Sequence, residues 1–62
     1  MKEYTINVFV DKQFLRSYRT SIVPMIGDMI SLSDKELFIV QKRMLPANNI
    51  SDTILVFGKL ES

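Results

Sequence analysis

The sequence predicts an all-β domain in which five short strands close into a small barrel. Three observations carry this expectation. Near the start, Ile6, Val8 and Val10 alternate with Thr5, Asn7 and Phe9, the period-2 pattern of a half-buried strand. Polar turn clusters at Asp11-Lys12-Gln13, Ser33-Asp34-Lys35 and Pro46-Ala47-Asn48-Asn49 punctuate the rest of the chain. Closing so short a sheet on itself also removes most of its exposed edges.

The first strand is expected from Tyr4 to Val10 and the second from Phe14 to about Thr20, where Phe14, Tyr18 and Thr20 are good β formers. A longer loop follows over Ser21–Asp28. Pro24 fixes its own φ and extends Val23. Gly27 can take a positive φ at no steric cost, and Asp28 can bond to nearby backbone N–H groups. The third strand runs Met29–Leu32, the fourth Leu37–Met44 and the fifth Thr53–Lys59. A helix at about 34–44 is the competing reading of the fourth element. Ser33 and Glu36 match a capping box, Lys42 and Arg43 suit a helix C-terminus, and Pro46 would stop it. The β-favouring run Phe38-Ile39-Val40 argues for the strand.

Composition narrows the chemistry. The chain has 62 residues, 47% of them apolar, no Cys, no His, and a net charge of +1. A chain this short buries only about 60% of the surface its unfolded form exposes, and small domains commonly rely on a disulfide, a metal or an oligomer contact. Without Cys a disulfide is impossible, and without Cys and His a zinc finger is excluded. Asp11, Asp28, Asp34 and Asp52 lack the spacing of a calcium loop. No cofactor or metal is expected, which leaves a second copy or a protein partner as the staple. The common general base and the strongest nucleophile are missing as well, and the chain has little room for a cleft, so it is expected not to be an enzyme. A charge of +1 gives no bulk attraction to nucleic acid or to an anionic membrane. No apolar run of about 18 residues exists to span a bilayer, and Met1-Lys2-Glu3-Tyr4 does not open a signal peptide. A cytoplasmic location is the expectation.

The segment Pro24-x-x-Gly27-Asp28-x-Ile30, followed by a polar turn and Phe38-x-Val40, resembles the SH3-like small β-barrel proteins of bacteria and phages. The resemblance covers about a third of the chain. It implies a five-stranded SH3-like barrel and no functional residue. The Gly27-Asp28-x-Ile30 start is also similar to the KOW motif of ribosomal and transcription-factor barrels. Those carry further glycines in the next turn, whereas Ser33-Asp34-Lys35-Glu36 has none, so no RNA-binding role transfers.

A two-residue turn at Asp11-Lys12 would pair Phe9 with Phe14 and place Phe9, Phe14, Tyr18 and Arg16 together on the outer face. A three-residue turn would pair Val8 with Arg16 and Ile6 with Tyr18, moving Phe14 and Tyr18 inside. Phe9 faces out in both. The fifth strand is apolar on both faces, with Ile54 and Val56 opposite Leu55 and Phe57, and Leu37 and Ile39 opposite Phe38 and Val40 repeat the excess. One barrel has one interior, so the surplus calls for cover. An interface through Phe9, Phe14, Leu55 and Phe57, with Arg16 as polar anchor, is therefore expected. It would be used for self-association, making the chain a homo-oligomer, or for another protein, as in a phage or mobile-element accessory factor or inhibitor. The alternative is a nucleic-acid-binding barrel using Arg16, Tyr18, Arg19, Lys42 and Arg43. Met25 and Met29 are expected to be plastic fillers of core or interface.

Overall fold

The computed structural model describes residues 2–46 and 51–61. Its strands are β1 (Tyr4–Val10), β2 (Gln13–Thr20), β3 (Met29–Ser33), β4 (Glu36–Met44) and β5 (Thr53–Glu61). The domain is all-β, a curled half-barrel consistent with a small SH3-like barrel. The segment that could have been a helix is strand β4 throughout. Ser33 and Glu36, the capping-box pair, cap a hairpin turn instead: Ser33 Oγ lies 3.3 Å from Glu36 Oε1 and accepts the Lys35 N–H. The loop expected at Pro46–Asn49 lies, from Ala47 onward, outside the described residues.

The strands order as β2-β1-β5-β4-β3. Neighbours in sequence pair antiparallel, except that β2 and β3 do not pair. The first and last strands therefore run the same way, and their union is parallel, from Thr5↔Thr53 to Val10↔Gly58. The interior is built by the three central strands. Ile6 and Val8 of β1, Phe38 and Val40 of β4, and Ile54 and Val56 of β5 are buried. The outer strands add half-buried Tyr18, Ile30 and Leu32 against this core.

The barrel stays open along one seam. No β2 Cα lies within 8 Å of a β3 Cα. Arg16 Nη1 spans the seam and donates to the Leu32 carbonyl at 2.7 Å, with Glu36 4.0 Å from Nη2. Full closure, the expectation for the sheet, is thus replaced by a side-chain strut.

Three bulges sort the side chains between faces. In the first hairpin, Asp11 (φ 52) and Lys12 (φ 66) form the two-residue turn, and Phe9 pairs with Phe14. Leu15 is then an extra residue, so beyond it Val8 pairs with Arg16 and Ile6 with Tyr18. Both registers read from the sequence are present, joined by a bulge. Leu32 is the extra residue in β3, and its carbonyl is the one that receives Arg16. Gln41 is the extra residue in β4: Val40 pairs with Gly58, but Lys42 pairs with Phe57 and Arg43 with Val56.

The loop before β3 is a type II turn. Asp28 N–H donates to the Met25 carbonyl at 3.0 Å, and Gly27 takes φ 96. Asp28 Oδ2 also accepts the Met25 N–H at 2.7 Å. The turn is tied to β4 by Gly27 N–H to the Val40 carbonyl and Val40 N–H to the Asp28 carbonyl.

Two outcomes follow for stability. A Cβ at Gly58 would collide with the Ile39 carbonyl and meet the Phe38 ring at 2.9 Å. Chemical denaturation of Gly58→Ala should show a loss of about 1–3 kcal/mol, the usual cost of overpacking. Lys12 holds a left-handed conformation that glycine adopts without strain. Lys12→Gly should therefore gain about 0.5–1 kcal/mol in the same assay, and a loss would contradict the turn geometry.

Candidate functional site

Once Leu15 sets Phe14 beside Phe9 and Gln41 sets Lys42 beside Phe57, one row crosses four strands on the outer side of the sheet. It reads Phe14 (β2), Phe9 (β1), Phe57 (β5), Lys42 (β4). Phe9 stacks on Phe57 with centroids 5.1 Å apart and planes at 24°. Phe14 meets Phe9 edge-on at 5.7 Å and 72°. Each such contact is worth about 0.5–1.5 kcal/mol beyond burial. The row is therefore held together by its own ring contacts. Leu55 lies one row along, between Asn7 and Met44.

Exposure grades along the face. Phe14 is 58% exposed and Met44 53%, while Phe9, Leu55 and Phe57 are half-buried. The surplus apolar residues lie outside the interior, as expected, but they shelter one another in part. Phe9, Phe57 and Met44 line a depression of about 380 Å³ rimmed by Asp11, Lys12 and Lys42.

Arg16 is not part of this face. It pairs with Val8 on the inner side and is occupied by the seam. The bulge at Leu15 is the reason, since it reverses the side-chain parity of β2 beyond Phe14. The other basic residues are equally dispersed. Arg19 is outward and bound to Thr5 Oγ1 at 2.8 Å, with Glu3 at 3.5 Å. Arg43 turns inward beside Val56 and donates to the Pro24 carbonyl at 3.2 Å. Tyr18 lies under the seam, and Lys42 belongs to the aromatic row. Arg16, Tyr18, Arg19, Lys42 and Arg43 form no common patch.

A second apolar surface was not anticipated. The loop before β3 and the start of that strand expose Ile22, Met25, Ile26 and Met29, with Ile22 at 77%. The signal was the pair of isoleucines in a segment whose Pro24 and Gly27 prevent a strand. Met25 and Met29 are surface residues here, not core fillers. Among the described residues no group of three His, Cys, Asp or Glu side chains could hold a metal ion, and no helix is long and apolar enough to cross a membrane.

The seam itself is flanked by two depressions of about 350 and 260 Å³, with Tyr18 and Ile30 lining both. Burial raises the Tyr18 phenol above its ordinary 10.0 because desolvation disfavours the phenolate. The neutral form is thus bound more tightly by the folded chain. The stability it contributes is complete below the unfolded value and lost as pH climbs through the raised folded one. Thermal melts from about pH 8 to pH 11 should fall more steeply for the native chain than for Tyr18→Phe, since lysine titration is common to both. Parallel curves would show that Tyr18 is not desolvated.

No protein-family model, curated protein or solved structure matches the chain, so its own geometry alone bears on what it binds.

Proposed function

We propose that this chain is a non-enzymatic interaction module that docks the outer face of its sheet on protein. The supporting observation is the row Phe14–Phe9–Phe57, an aromatic strip three strands wide on the solvent side of an interior already filled. Phenylalanines on strands are far costlier to hydrate than the polar residues such a face ordinarily carries. An aromatic strip with Leu55 and Met44 beside it has the make-up of an interface centre, where a few large side chains supply most of the affinity. Such a module fits an accessory or inhibitory role in which it acts by covering a surface of another molecule. The nucleic-acid reading draws no support from the dispersed arginines.

Phe14 is the residue to remove, because it is the most exposed member of the row. Phe14→Asp should still fold but lose about 1–2 kcal/mol, the edge-on contact with Phe9 together with the weaker strand preference of Asp. It should also abolish the capture of any host protein that the native chain retains, together with any concentration-dependent association that the native chain shows in light scattering. Arg16→Ala, at the seam on the other side of the sheet, should leave both unchanged. If Phe14→Asp associates and captures like the native chain, the face is not used.

A further inference from the structure

We infer that the occupant of the aromatic row is an acidic protein segment, one carrying apolar side chains between carboxylates, rather than a second copy of this chain. The inference rests on the docking reading above and adds the chemistry of the partner. Its basis is the charge around the row. Lys42 ends the row beside Phe57. Lys12 stands at the rim of the depression that Phe9 and Phe57 floor. Lys59 follows Phe57 by two residues on the same strand face, opposite Ile39. Among the residues lining the depression Asp11 is the one carboxylate, and Glu61 follows Lys59 by two residues on the same strand face, opposite Leu37. None of these five groups makes an ion pair among the described residues, in contrast to Lys2, Arg16 and Arg19, which do.

Two of these cations owe their placement to local backbone features. Without the extra residue Gln41, alternation from inward Val40 would turn Lys42 inward and Arg43 outward; the bulge exchanges them. Lys12 occupies a left-handed position, φ 66, where glycine carries no strain. Local stability would favour another residue there, which leaves the ammonium as the feature gained.

A second copy fits poorly. A twofold interface sets the same patch against itself. Each copy would bring three lysines and two carboxylates, so even full pairing with Asp11 and Glu61 leaves one cation per copy facing a cation, and opposed like charges penalise the contact. Single-stranded nucleic acid would satisfy the charge but use the rings less fully. Base stacking uses open ring faces, and the Phe9–Phe57 stack takes one face of each ring, leaving Phe14 as the most open ring of the row. An acidic segment uses what is presented: the apolar depression for a side chain and the lysines for flanking carboxylates.

The test is a titration of the isotope-labelled chain, followed by amide NMR, with a synthetic hexapeptide holding central Leu and Phe between pairs of carboxylates. The comparison ligands are its amide isostere, with Gln and Asn for each acid, and a thymidine oligonucleotide. The acidic peptide should shift amides around Phe9, Lys12, Lys42 and Phe57. It should bind about tenfold more tightly than the isostere, the scale of two or three exposed ion pairs, with the difference shrinking at high salt. A folded Lys12→Glu/Lys42→Glu variant should lose that preference, and Lys12→Gly should weaken it while remaining well folded.

Equal binding of the two peptides at the same amides would overturn the acidic partner and keep the docking face. So would self-association that Phe14→Asp abolishes while the acidic peptide fails to bind. The oligonucleotide shifting these amides in place of the peptide would replace the partner with nucleic acid. Shifts confined to Ile22–Met29 would move docking to the loop and overturn both readings, and so would the absence of any shift together with a strictly monomeric chain.

Discussion

Among the described residues, six buried side chains fill the interior of this sheet, two from each of β1, β4 and β5. A curled sheet of five short strands encloses no larger volume, and strands that are apolar on both faces must leave half their apolar residues outside it. The outer row follows from that limit. Phe9 and Phe57 lower their hydration cost by stacking on each other, and Phe14 closes one end of the stack edge-on. What they do not bury remains available to another molecule.

The bulges turn this constraint into a particular surface. Each adds one residue and so exchanges the two faces for everything beyond it. Leu15 keeps Phe14 outside while sending Arg16 and Tyr18 to the inner side, where Arg16 braces the open seam at Leu32. Gln41 sends Lys42 out to the aromatic row and Arg43 in, where it holds the Pro24 carbonyl. The result separates two kinds of cation. The arginines are engaged in local bonds that shape the fold, whereas the lysines at the row are unpaired among the described residues. Gly58 belongs to the same device, since the bulged β4 presses so closely on it that no side chain fits.

Strand positions were legible because local pattern decides them. Tyr4–Val10 alternates cleanly, and Pro24, Gly27 and Asp28 form the turn their chemistry suggests. The strand over Glu36–Met44 shows β-branched and aromatic residues outweighing a capping-box coincidence. Register was legible only in part. The turn at Asp11-Lys12 contains two residues without glycine, and each of two registers satisfied part of the hairpin; the structure uses both, which only a bulge allows. Phe9, Phe14, Leu55 and Phe57 therefore gathered as expected, while Arg16 did not. The pairing of β1 with β5 and the parity change at Gln41 depend on contacts between distant segments, and no spacing within a single strand encodes them. The exposed isoleucines of the Ser21–Asp28 loop, Ile22 and Ile26, belong to no periodic pattern, so their spacing does not say which way they face.

The central claim is that this chain has more large apolar side chains than interior, so that its phenylalanines divide between core and surface. Solvent paramagnetic relaxation of the ring protons, measured on dilute protein with an inert gadolinium chelate, tests it directly. The relaxation should be strong for Phe14, intermediate for Phe9 and Phe57, and negligible for Phe38. Protection of all four rings to the level of Phe38 would contradict it, because the row would then be interior and the sheet would have no face left to offer.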